Sequence, residues 1–127
     1  MYRLFENKLL EWKQSGMKKP LMVIGVRQIG KTYTIANFGK ENFDEFLYFN
    51  LEKNEEISNI FDKTIDEEKI LEEIELYLGR KIDLEKTLFF FDEVQKSENF
   101  IVSLKYFNES EKPYKIICAG SLLRGED

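Results

Sequence analysis

Leu21-Met22-Val23-Ile24-Gly25-Val26-Arg27-Gln28-Ile29-Gly30-Lys31-Thr32 is the stretch that decides how the rest of the chain is read. A short apolar run ends at Gly25, four residues follow, and Gly30-Lys31-Thr32 completes the pattern G-x-x-x-x-G-K-[ST]. This is a phosphate-binding loop, and its spacing has a mechanism. Glycines let the backbone wrap closely around phosphates, with successive N–H groups turned inward. A lysine in the place of Lys31 reaches the β- and γ-phosphates, and the Thr32 hydroxyl can ligate Mg²⁺. A helix beginning near Gly30 would aim its positive N-terminal end at the same anion. The candidate nucleotide-binding residues are therefore Gly25, Arg27, Gln28, Ile29, Gly30, Lys31, Thr32 and the adjoining Tyr33. An apolar run before the loop and a helix-compatible segment over 32–38 supply the strand–loop–helix context that the motif needs.

A second stretch, Thr87-Leu88-Phe89-Phe90-Phe91-Asp92-Glu93, reads as a fully apolar strand with two acids at its C-terminal end. Open α/β sheets bind ligands at that edge of their strands. Asp92 would hold the Mg²⁺ that arrives with the nucleotide. Glu93 stands where it could orient or deprotonate an attacking water. Strands often end in solvated acids, so the pair alone says little; its position downstream of a phosphate loop gives it meaning.

Composition bounds the answer from outside. With 127 residues, 43% hydrophobic and 34% charged, the chain is one ordinary globular domain and not a disordered one. A net charge of −5 argues against nucleic-acid binding through a basic field, and leaves a local patch unproven. The chain has no histidine, which removes histidine triads, histidine metal sites and imidazole acid–base chemistry together. Its single cysteine, Cys118, lies in an apolar run and reads as buried and reduced, which points to the cytoplasm. No apolar run approaches the length of a membrane span.

In chain order, 1–15 has an amphipathic helical pattern with Phe5, Leu9 and Trp12 on one stripe and Gly16 as its stop. Tyr2 or Arg3 could help cover an adenine. Leu21 to Ile24 suits a strand buried on both faces, and the helix after the loop should end near Gly39. A second strand covers 46–49 and opens into Asn50-Leu51-Glu52. The acidic region 54–86 is mostly helical, with capping-box spacing from Thr64 to Glu67, a stripe of Ile70, Ile74 and Leu78, and Gly79 as terminator. Ser97 or Asn99 caps a helix carrying Phe100, Leu104 and Phe107, Pro113 breaks the chain, and 115–119 forms the last strand. That strand runs out into Gly120-Ser121 at the ligand edge.

Read together, GVRQIGKT, FNLE, LFFFDEVQ, SLKYF and IICAGSLL resemble, in order, the AAA-type ATPases of bacteria and archaea whose phosphate-loop domain precedes a C-terminal domain of unknown function. Arg27-Gln28 inside the loop and Gln95 after Asp92-Glu93 make the likeness more specific than a generic phosphate loop. The resemblance implies a three-layer α/β/α fold of the P-loop NTPase type around a mainly parallel sheet, with about four strands in this stretch. It implies ATP rather than GTP, Mg²⁺, and hydrolysis assisted by Glu93 with Lys31. It also puts Ser121 at the sensor position between water and γ-phosphate. A small residue turning the chain out of a strand explains Ser121 equally well. The family's fifth strand and a small helical region over the nucleotide would lie beyond Asp127, so the stretch is expected to be the N-terminal part of the ATPase domain. The first strand would then keep an open apolar edge, leaving self-association or a protein partner open. A nucleotide-operated binding module with little turnover remains the alternative to an ATPase. The guanine signature N-K-x-D is absent, and no Arg-rich lid segment marks a phosphotransferase.

Overall fold

The structure, a computed structural model, describes residues 2–24 and 30–121, with side chains from residue 5 onward. Its elements are α1 (Tyr2–Gln14), β1 (Leu21–Ile24), α2 (Lys31–Asn42), β2 (Glu45–Asn50), α3 (Glu55–Lys63), α4 (Glu67–Leu78), β3 (Thr87–Asp92), α5 (Glu98–Glu109) and β4 (Ile116–Gly120), with short 3₁₀ turns at Leu84–Lys86 and Val94–Lys96. Among the described residues the sheet has four strands in the order β1-β4-β3-β2, every pair parallel. This is the α/β three-layer arrangement.

The strand sequences explain the layers. In β3, Leu88 and Phe90 face one way and Phe89 and Phe91 the other, and all are buried, as a central strand covered on both faces requires. Leu88 and Phe90 pack with Ile117 and Ala119 of β4 against Phe5, Leu9 and Trp12 of α1 and Ile35 and Phe38 of α2. Phe89 and Phe91 meet α3, α4 and α5, where the rings of Phe61, Phe91 and Phe100 lie 4.9 to 5.7 Å apart. Each such fully buried side chain contributes about 1.5–3 kcal/mol relative to exposure.

Three local expectations are corrected. Helix α2 does not stop at Gly39 but continues to Asn42. A Cβ on Gly39 would lie 2.5 Å from the Phe46 ring and 3.2 Å from Leu88, so this glycine lets the helix approach the sheet and does not end it. The capping box from Thr64 does not form. Thr64 closes α3 and accepts from the Asp66 N–H at 3.0 Å, while the Asp66 carboxylate caps α4 through the Glu68 N–H at 3.0 Å. Two oxygens compete within three residues, and the one nearer the helix takes the cap. Finally, β1 is not buried on both faces, and Ile24 is 49% exposed. Its only strand neighbour among the described residues is β4, so its other edge is unpaired there.

Cys118 lies in β4 with its side chain fully buried, and burial pushes its thiol up to about 12 from an ordinary 9.0. Burial first, and then the acids of α4, push the Tyr114 phenol up as well. A group whose pKa is raised by folding stabilises the fold below its ordinary value, and that contribution is lost as pH rises through the folded value. The urea midpoint should therefore fall steadily from pH 9 toward pH 12, and Cys118 should not react with a thiol reagent at pH 8 until the chain unfolds. Rapid stoichiometric labelling of the native chain would contradict this packing.

Candidate active site

Because every strand is parallel, Ile24, Asn50, Asp92 and Gly120 all end at one edge, with Ile24 opposite Gly120 and Asn50 opposite Asp92. Helix α2 begins at this edge, capped by Gly30 in the left-handed region at φ 87°. The helices that follow β1 and β3 leave on opposite faces of the sheet, which opens a crevice between them.

Of the described sequence candidates, Lys31, Asp92, Glu93 and Ser121 are linked here by contacts, directly or through Gln95. Lys31 Nζ lies 3.9 Å from Asp92 Oδ1, with both side chains largely shielded from solvent. Thr32 follows on the first turn of α2, and Tyr33 is 67% exposed. Asp92 itself is buried, and its oxygens are held separately. Oδ1 accepts from the Glu93 N–H at 2.9 Å, and Oδ2 accepts from the Tyr48 hydroxyl at 2.9 Å. Glu93 adopts φ 55° and ψ 43°, a left-handed conformation uncommon for a residue with a side chain, and starts the 3₁₀ turn. Its Oε1 accepts from Gln95 Nε2 at 2.7 Å. Ser121 stands one residue past β4, and its backbone N–H donates to Gln95 Oε1 at 3.2 Å. Gly25, Arg27, Gln28 and Ile29 lie outside the described residues.

Two side chains join the site without having been assigned a role from the sequence. Tyr48 is diagonal to Asp92 across the β2–β3 pair and packs its ring on Phe90 at 5.2 Å between centroids. Burial first, and the hydrogen bond to Asp92 second, push its phenol up to about 12, so at neutral pH it remains a donor to the carboxylate. The available signal was its position two residues before the strand end, within reach of a diagonal neighbour. Gln95 was marked only as a family-specific residue, and its carboxamide turns out to touch both Glu93 and Ser121.

The buried Asp92 carboxylate and the Thr32 hydroxyl on the first turn of α2 are oxygen ligands of the kind that suits Mg²⁺, which is commonly held by one or two carboxylates plus phosphates and water. No group of three or more His, Cys, Asp or Glu that could form an all-protein metal cage occurs among the described residues.

The model of a family described as "AAA domain" matches residues 17–125, nearly the whole chain. The chain belongs to the AAA domain family. The match takes in residues 25–32, both acids and the end of β4. Membership makes this AAA domain a nucleotide-binding domain of the ATPase type. No curated protein and no solved structure matches the chain. No helix among the described residues is long and apolar enough to cross a membrane.

Proposed function

We propose that this AAA domain binds ATP with Mg²⁺ at the C-terminal edge of its sheet and hydrolyses it. The observation that carries the reading is the Lys31–Asp92 contact at 3.9 Å, which joins the phosphate-loop lysine to the strand-end acid. In this reading the triphosphate takes over Lys31, and the first turn of α2 with the loop residues Gly25, Arg27, Gln28 and Ile29 cradles the phosphates. Tyr33 is assigned to the same nucleotide. Thr32 and Asp92 would hold Mg²⁺, which when bound neutralises charge on the phosphate oxygens. Glu93 takes a proton from the attacking water, and Ser121 is assigned the contact to the γ-phosphate. Stabilisation of developing charge by Lys31 and backbone amides supplies the catalysis, with no covalent intermediate on the protein.

Mg²⁺-dependent release of phosphate from ATP tests the proposal. Asp92→Asn should raise the Mg²⁺ concentration needed for half-maximal rate by at least about tenfold, since a neutral amide is a poorer ligand for a hard cation. An unchanged Mg²⁺ requirement would remove Asp92 from the site. A module with slow or no turnover would show ATP affinity without phosphate release. The cytoplasm fits a reduced Cys118. The edge of β1 that is unpaired among the described residues offers a place for a strand of another molecule, either a second copy or a protein partner.

A further inference from the structure

We propose that Gln95 is a positioning residue for hydrolysis: its carboxamide ties the Glu93 carboxylate to the end of β4 and so fixes where Glu93 points. The proposal rests on the reading of Glu93 as the group that takes the proton from water.

Four observations lead to it. Glu93 holds a left-handed backbone at φ 55°, and such a conformation persists only where its surroundings over-determine it. Its backbone is fixed by the Glu93 N–H to Asp92 Oδ1 at 2.9 Å and by the Lys96 N–H to its own carbonyl at 3.1 Å. Gln95 supplies the side-chain restraint the structure shows, the 2.7 Å bond from Nε2 to Oε1. The other end of the same carboxamide accepts from the Ser121 N–H at 3.2 Å. These partners permit one orientation of the amide. A backbone N–H can only donate and a carboxylate can only accept, so the oxygen must face Ser121 and the nitrogen must face Glu93.

Gly120 makes room for this arrangement. A Cβ there would stand 2.6 Å from Gln95 Oε1 and 3.2 Å from Val94 Cγ2. A side chain at the end of β4 would push the Gln95 oxygen out of this position. The residue thus links the candidate proton acceptor with the strand end that carries Ser121, and leaves Glu93 Oε2 as the oxygen it does not hold.

Gln95→Glu is the discriminating substitution. It keeps the shape and an acceptor for Ser121, removes the donor to Glu93, and adds a like charge beside it. ATP turnover and affinity should be measured for Gln95→Glu, Glu93→Gln and the double variant. A displacement near 1 Å at a reacting group can cost about a hundredfold. We expect Gln95→Glu to lose about ten- to a hundredfold in kcat with ATP affinity kept within about threefold. In the Glu93→Gln background it should change the remaining rate by less than about threefold, because residues acting as one unit are not additive. A second readout does not depend on turnover. The Ser121 amide resonance should respond to Glu93→Gln in the otherwise native chain and cease to respond once Gln95→Met has cut the link. Full-rate Gln95→Glu beside a slow Glu93→Gln, or a Ser121 response that survives Gln95→Met, would overturn the role of Gln95 alone. Wild-type turnover in Glu93→Gln, or none in the native chain, would overturn the reading of Glu93 and this proposal with it.

Discussion

Glu93→Gln should lower ATP turnover by about two to four decades while leaving ATP affinity within a few-fold. The substitution keeps the size and planarity of the side chain and removes the proton acceptor. It also touches little that binds nucleotide in the proposed site, since phosphate contacts are assigned to Lys31, the first turn of α2, the loop and Ser121. Glu93 is partly buried, follows the metal-site candidate Asp92 directly, and is held on one oxygen by Gln95. The carboxamide put in its place would still offer an oxygen to that donor, so the local structure should persist. A melting temperature close to that of the native chain would show that the lost rate is chemical and not structural. Unchanged hydrolysis would assign water activation to another residue, and with it the function of the left-handed turn after β3 would need a different explanation.

The parts of the site legible in the sequence were those fixed by local pattern. The loop motif placed Lys31 and Thr32 at the start of α2, and a wholly apolar strand ending in Asp92-Glu93 placed both acids at the sheet edge. Parallel strands then bring such ends together, which is why Lys31 and Asp92 meet although they stand far apart in the chain. Less legible were features that depend on neighbours remote in sequence. The exposure of β1 follows from its place in the strand order, and four apolar residues cannot report that place. Gly39 looked like a helix terminator because a glycine's packing role appears only once Phe46 and Leu88 are known to press on it. Tyr48 and Gln95 are long polar side chains bridging separate elements, to Asp92 in one case and to Ser121 in the other. Their bonds have no sequence period, so only the fold reveals them.

The same geometry predicts a large ligand effect on stability that disappears with one side chain. A ligand at about a hundred times its Kd adds about 2.7 kcal/mol to the folded state. For a domain of this size that corresponds to a rise in Tm of roughly 10 °C. Most of the differential binding should pass through Lys31, whose ammonium group is largely shielded and has Asp92 as its ion-pair partner. Truncation to alanine leaves the phosphates without a cation that water cannot replace in the cradle. It also frees Asp92 from a positive neighbour, so the variant must be compared with its own unliganded Tm. The central claim is that the edge carrying Lys31 and Asp92 binds Mg-ATP, and the most direct test is the Tm of the native chain and of Lys31→Ala with and without saturating Mg-ATP. The account predicts a rise of roughly 10 °C in the native chain and little or none in Lys31→Ala; an equal rise in both would contradict it.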